Sequence, residues 1–177
     1  MTNKLKVLIK HLWLDASDTR RAIPPDMLKR LASRVAASEQ RHGGQIRICV
    51  ESSLPLSYVW RLNAHHTLKA LTRQRALTLF GKLGVWDTEH NNGVLIYVLL
   101  AEHAIEIVAD RGLMRHVDAA QWQAMLARMA GAFRAGHYED GLTQAIEETS
   151  TVLLSHFART EASPDQANEL PDTPLLQ

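Results

Sequence analysis

Cysteine is nearly absent. Cys49 is the only one in 177 residues, so no intrachain disulfide can form and a thiolate metal cluster is excluded. It stands in the run Ile46-Arg47-Ile48-Cys49-Val50, where it is expected to act as a small buried hydrophobe. Charge of one sign is lacking too. The 20 Lys and Arg against 19 Asp and Glu leave a formal charge of +1, with no field concentrated enough to hold phosphates, so no nucleic-acid partner is expected. No apolar run approaches the roughly 20 residues that span a bilayer. Met1 to Leu14 superficially resembles an export signal, but Lys10 and His11 interrupt its apolar core and no small-residue cleavage site follows. A cytoplasmic placement is therefore expected. Hydrophobic residues at 46% and charged residues at 22% suit a globular chain, and the length suits one domain.

Three segments follow from the pattern. Residues 1–23 read as a basic amphipathic helix and a linker, residues 24–158 as an α/β domain, and residues 159–177 as a disordered, polar, proline-dotted tail. In the first, Leu5, Leu8, Ile9 and Leu12 recur at helical spacing among Lys4, Lys6, Lys10 and His11. Such a helix docks on its own domain or a second copy, or makes weak peripheral contact with an anionic membrane, at the inner face for a cytoplasmic protein.

Within the domain, Pro24 and Pro25 suit a helix start, and Met27, Leu28, Leu31, Ala32 and Val35 give the helix its apolar stripe. Ile46, Ile48 and Val50 alternate with polar residues as a strand does. Ser57 to Phe80 has neither proline nor glycine and predicts one long helix. Gly93 to Leu100 is the most apolar run and predicts a central strand buried on both faces. Ile105 to Asp110 follows so closely that the two strands must form an antiparallel hairpin. Two amphipathic helices end the domain, one carrying Trp122, Met125, Leu126 and Met129, the other Leu142, Ala145, Ile146 and Leu153. A long helix between two strands lets them lie parallel. The sum is a mixed sheet of three to four strands containing an antiparallel hairpin, with helices on both faces: an α/β/α sandwich.

The hairpin also locates a candidate site. With Ala101 opposite Ala104, Leu95 faces Asp110, and the loop Asp87, Glu89, His90, Asn91 and Asn92 gathers near Asp110 at the same end of the sheet. Asp, Glu and Asn oxygens are the donors that hard cations take, so Asp87, Glu89, Asn91, Asn92 and Asp110 are candidate ligands for Ca²⁺ or Mg²⁺. The spacing lacks the glutamate that completes an EF-hand. The competing reading is a structural turn: Asn-Asn-Gly is good turn chemistry, and Asp110 can cap the helix that follows.

Other candidates carry less. Arg41-His42-Gly43 has the residues of a histidine-phosphatase triplet but precedes its strand instead of following it. Gly81-Lys82 lacks the rest of a P-loop. His65 and His66 are adjacent and cannot share one metal. Lys69, Arg73 and Arg75 read as a solvated helix face.

Three stretches, taken in order, suggest a family. Phe80-Gly-Lys-Leu-Gly-Val-Trp-Asp-Thr-Glu-His-Asn-Asn-Gly-Val-Leu-Ile-Tyr-Val-Leu-Leu100 resembles the signature of the TPM domain. Ile105 to Leu113 is similar to that family's second strand and glycine turn. Ala132 to Leu142 is similar to its link between the last helices. The resemblance covers Pro24 to Phe157 and is strongest to a short bacterial subgroup without signal peptide or membrane span. It implies an α/β sandwich, and it brings the activities attributed to some members: divalent-cation binding and acid phosphatase activity. Two functions are therefore carried forward. One is a non-enzymatic accessory module that engages a protein partner and holds a divalent cation in the loop before the central strand. The alternative is a metal-assisted acid phosphatase acting on phosphomonoesters, with His90 as acid or base.

Overall fold

The computed structural model describes residues 4–63, 65–159 and 168–177. Three helices, α1 (Lys4–Trp13), α2 (Ala16–Ala22) and α3 (Pro25–Glu39), precede β1 (Gln45–Glu51). Helices α4 (Leu56–Val59) and α5 (Leu68–Lys82) lead to β2 (Gly93–Leu99), and a short turn leads on to β3 (Ala104–Ala109). Then come α6 (Arg111–Met114), α7 (Ala119–Arg134), α8 (Tyr138–Phe157) and the two-residue β4 (Leu175–Leu176). The strand order is β3-β2-β1-β4; β1 lies parallel to β2 and β4, and β3 is antiparallel to β2. This is the mixed sheet with one antiparallel pair that the apolar pattern predicts.

Strand alternation divides the core in two. Ile46, Ile48, Val94, Ile96 and Ile107 turn to the layer of α3, α7 and α8, where Phe133 and Met129 are fully buried. Cys49, Leu95, Tyr97 and Val108 turn to the layer of α1, α4 and α5. Both β1 and β2 are buried along their whole length, as strands covered on two faces must be.

The structure departs from the sequence reading in four places. The expected linker at Asp15–Ala22 is a helix, because Asp15 caps Ser17 N–H and Asp18 returns the bond to the Asp15 N–H in a capping box. The long helix expected over Ser57–Phe80 is broken between α4 and α5. There Asn63 Oδ1 accepts from the N–H groups of His65 (2.8 Å) and His66 (2.9 Å), and Thr67 Oγ1 caps α5 through Ala70 N–H. These polar side chains offer the backbone an alternative to helix bonds, so a break forms without proline or glycine. The hairpin register is displaced by two residues: Leu99 pairs with Ala104 and Val94 with Ala109. His103, in the left-handed region at φ 47°, closes the wider turn. An even displacement keeps each side chain on its expected face, and it sets Asp110 beside Gly93, whose carbonyl accepts the Asp110 N–H at 2.9 Å.

The fourth departure is the tail. Residues 160–167 lie outside the described residues, but residues 168–177 are fastened to the sheet. Leu170 is buried, and the Arg47 guanidinium donates to the carbonyls of Pro171 (2.7 Å) and Thr173 (2.6 Å). Gln177 exchanges backbone bonds with Val50 and Ser52, each at 2.9 Å. The open side of β1 offered unpaired backbone groups and the tail's leucines offered apolar surface, which together outweigh the polar composition around them.

Candidate functional site

The loop between α5 and β2 is shaped by its own polar side chains. Gly84 turns the chain at φ 67°, and the Asp87 N–H donates to the Gly84 carbonyl at 2.9 Å. Buried Thr88 then accepts from Asn91 N–H through its carbonyl and from Asn92 N–H through Oγ1, both at 3.1 Å. Asn91 adopts φ 53°, a region that asparagine tolerates better than most residues. Two glycines bring the backbones into contact. A Cβ on Gly93 would collide with the Val85 carbonyl, and one on Gly112 with the Asn91 carbonyl, which accepts the Gly112 N–H at 3.0 Å.

Of the five predicted ligands, this arrangement makes backbone neighbours of Asn91, Asn92 and Asp110, through the Gly112 N–H on the Asn91 carbonyl and the Asp110 N–H on the Gly93 carbonyl. Asn92 is 1% exposed; its Nδ2 donates to the Gly43 carbonyl at 2.8 Å, while its Oδ1 has no partner among the described residues. Asp110 is 5% exposed and caps α6, its Oδ1 accepting from Arg111 N–H at 2.6 Å. Its Oδ2 likewise has no partner. The helix-capping role anticipated for Asp110 is thus real, and it uses only one of the two carboxylate oxygens. Asp87 and Glu89 stay exposed on the outside of the loop, and Glu89 is held by its backbone N–H to Glu169 Oε2 at 3.0 Å. Strand alternation inclines Asn92 to the Val94 side of the sheet and Asp110 to the Val108 side. Among the described residues no three His, Cys, Asp or Glu side chains converge as a metal-holding group. Beside this end lies a hollow of about 290 Å³ lined by His90, Asn91, Arg111, Gly112 and Arg115.

The other sequence candidates are placed far from any such role. His42 is fully buried, its Nε2 2.9 Å from Ser38 Oγ, which also bonds the Ser150 hydroxyl. Burial, helped by the nearby positive charge of Arg41, pushes the His42 imidazole down to about 4. Burial pushes the Cys49 thiol up to about 12, with the Glu51 carboxylate adding to it, so no thiolate nucleophile is available there. His65 and His66 are exposed.

In the basic triplet on α5, Lys69 is exposed as the sequence suggested, but Arg73 and Arg75 are engaged. Arg73 donates to the Ile107 carbonyl and to Glu106. Arg75 is buried and clasps Glu51, donating from Nε to Oε2 at 2.9 Å and from Nη2 to Oε1 at 2.5 Å. Tyr97 adds a hydroxyl bond to Glu51 Oε2 at 2.7 Å. The signal was present in the spacing: Leu71, Arg75 and Leu79 lie one turn apart, so the arginine interrupts an apolar stripe.

No curated protein matches the chain. Two solved structures share the fold. One is the BA42 protein from the psychrophilic bacterium Bizionia argentinensis, at 23% identity and TM-score 0.70, over 86% of this chain and 94% of that one. The other is the N-terminal domain of a P. gingivalis protein, at 18% identity and TM-score 0.58, over 77% of this chain and 82% of that one. The family model of the TPM domain matches residues 16–152, from the first turn of α2 into α8. The chain belongs to the TPM-domain family.

Proposed function

We propose that this TPM domain is a non-enzymatic accessory module that engages a protein partner and holds a hard divalent cation, Ca²⁺ or Mg²⁺, at the Asn91–Asn92–Asp110 end of its sheet. The supporting observation is the pair of buried oxygens without donors, Asn92 Oδ1 and Asp110 Oδ2. An unsatisfied buried polar group costs about 1–3 kcal/mol, and a bound cation removes that cost for oxygen. Because Asn92 and Asp110 incline to opposite sides of the sheet, an ion drawing on both sits beyond the strand ends. Asp87 and Glu89, exposed on the outside of the loop, would have to swing inward to join them.

The alternative, a metal-assisted phosphatase acting on phosphomonoesters, is favoured by the hollow beside the same end. Arg111 and Arg115, which line it, suit a phosphate dianion, and His90 in the same lining is the acid or base in this reading. A bound cation supplies polarisation of the phosphate and of water.

Calorimetry of the metal-free protein with Ca²⁺ and with Mg²⁺ tests both readings. Saturable binding is expected, weakened at least about tenfold by Asp110→Asn, with a ligand-dependent rise in Tm. No heat and no Tm shift would make the loop a structural turn. Turnover of p-nitrophenyl phosphate that is lost in a folded Asp110→Asn protein would select the phosphatase.

Peripheral contact with an anionic membrane at its inner, cytoplasmic face belongs to the same reading. Val7 and His11 face inward, whereas Leu5, Ile9, Leu12 and Trp13 are exposed beside Leu56 and Trp60, with Lys4, Lys6, Lys10 and Arg61 among them. Aromatic and aliphatic tips ringed by lysine suit a lipid interface. No helix among the described residues is long and apolar enough to cross a membrane. Cosedimentation with phosphatidylserine vesicles is expected for the full chain and not for Ile9→Glu/Trp13→Glu, while neutral phosphatidylcholine vesicles leave both in solution. Equal sedimentation of the two proteins would remove this part of the proposal.

A further inference from the structure

Strand β1 has β2 on one side and, on the other, a segment from beyond the family match. The match ends at residue 152, and residues 168–177 return to lie along the outer side of β1. The backbone ladder there is brief. Strand β4 pairs in parallel with Cys49 and Val50 alone, and Gln177 extends it to the Ser52 N–H. Side chains make the rest of the seat. Buried Gln45 accepts the N–H groups of Glu169 and Leu170 through Oε1, at 3.0 and 3.1 Å. Leu170 and Leu175 pack into the layer of α1, α4 and α5, whereas Leu176 packs on the layer of α3, α7 and α8. The outer side of β1 is thus a groove shaped for an extended segment, with backbone partners along its floor and a leucine seat on each face.

Two places in the groove do not match the segment that fills it. The first is Arg47, only 8% exposed, whose guanidinium donates to the carbonyls of Pro171 and Thr173. It forms no ion pair among the described residues. A buried cation is compensated by an anion, and neutral carbonyls leave its charge unbalanced. The second is Asp172, which brings its carboxylate close to that of buried Glu39. Two carboxylates sharing one site repel. The acid of the segment therefore meets the acid of the groove, while the cation of the groove meets no acid.

We propose that the outer side of β1 is a docking groove for an extended segment of a partner protein, one that runs parallel to β1, sets a carboxylate at Arg47 and follows it with two leucines. Residues 168–177 are its resident occupant and give way to that segment. The incoming chain keeps the backbone bonds and both leucine seats, and it removes both mismatches. Displacement requires a real gain, because a tethered segment acts at an effective concentration on the order of millimolar. A charge-assisted bond to a buried guanidinium supplies that gain. The same segment from a second copy carries both mismatches and gains nothing over the resident. The proposal rests on the accessory-module reading for its partner; the calorimetric cation test is read separately, so failure of one is distinguishable from failure of the other.

The test is an NMR titration of the ¹⁵N-labelled full chain with two blocked peptides. One copies residues 168–177; the other is the same with Asp172→Asn and Thr173→Glu. The altered peptide is expected to shift the amides of Gln45 to Ser52 and release those of Leu170, Leu175 and Leu176, at a concentration at least about tenfold below that needed with the plain copy. Arg47→Gln, which keeps a donor but removes the charge, is expected to erase the preference between the peptides. Leu175→Ser/Leu176→Ser in the chain loosens the resident and is expected to raise the affinity for both peptides at least about tenfold. If Arg47→Gln does not fold, the loosened chain decides. Absence of β1 shifts at millimolar peptide in both the native and the loosened chain overturns the proposal. So does equal binding of the two peptides to the native chain, or a preference that survives Arg47→Gln. Sedimentation of the native chain as a dimer that exchanges residues 168–177 between copies also overturns it, since the groove then belongs to a second copy.

Discussion

Arg75→Met is expected to destabilise the protein by about 3–5 kcal/mol, the range for stripping one partner from a buried ion pair. Its guanidinium neutralises Glu51 on the α5 side of the sheet, where the two side chains are only 11% and 6% exposed. It also lies over the Tyr58 ring, 5.6 Å from its centroid. Without Arg75, Glu51 keeps only the Tyr97 hydroxyl and must stay charged without a counterion or take up a proton. For a chain of 177 residues the loss corresponds to a Tm fall of roughly 6–20 °C. The cost arises from isolating the carboxylate more than from losing the arginine. Replacing the whole network, as Glu51→Leu/Arg75→Met/Tyr97→Phe, is therefore expected to recover most of the stability. Thermal denaturation of both variants checks this. A triple variant no more stable than Arg75→Met would mean that the network contributes attraction beyond its own desolvation.

Raising the pH through neutrality is expected to destabilise the fold through Glu39. Burial pushes this carboxyl up to about 8 from its ordinary 4.5; the nearby Asp172 carboxylate adds to the shift, and the Ile46 N–H bonded to Oε1 at 2.7 Å opposes it. Below 4.5 the group is protonated in both folded and unfolded chains. Between 4.5 and 8 the unfolded chain releases a proton that the folded chain keeps, so stability declines across that window, by on the order of a few kcal/mol. His42 acts with the opposite sign. Its folded value of about 4 lies below the ordinary 6.5, so its contribution is complete above 6.5 and is lost as the pH falls towards 4. The two slopes oppose each other between 4.5 and 6.5, leaving the Glu39 decline exposed from about 6.5 to 8. Urea denaturation at pH 6, 7 and 8 is expected to show falling stability in the native protein and a flat response in Glu39→Gln, which mimics the protonated acid. A native profile that does not fall over that range would contradict the assignment.

The elements legible in the sequence were those governed by apolar periodicity. Gly93 to Leu100 announced a strand covered on both faces, and Trp122, Met125 and Met129 announced the α7 stripe. What escaped was governed by polar side chains bonding to backbone: the Asn63 turn that splits α4 from α5, the Asp15 box that starts α2, and the four-residue turn at His103. Such bonds leave no period to detect. The backbone adjacency of Asn91, Asn92 and Asp110 was readable because a hairpin joins its first and last residues, even with the register displaced by two. The burial of Arg75 was harder to see, since it depends on Glu51 from a distant segment, and that of Glu39 rests on the Ile46 N–H across the turn into β1. The tail was read from composition alone, which is silent about a vacant strand edge waiting to be filled.

That filled edge bears on how copies of the protein can associate. A sheet with two open sides can stack side by side without limit, each added molecule presenting a fresh edge to the next. Here Leu175 and Leu176 lie on the outer side of β1 and pair with only Cys49 and Val50, so the edge on that side is cut to a two-residue strand, whereas β3 at the other edge runs for six. A two-residue edge offers an incoming strand few backbone groups to hold, so among the described residues the long pairing side is β3. Pairing of two molecules through β3 uses the long side of each and leaves only short edges at the ends, which disfavours growth beyond a pair.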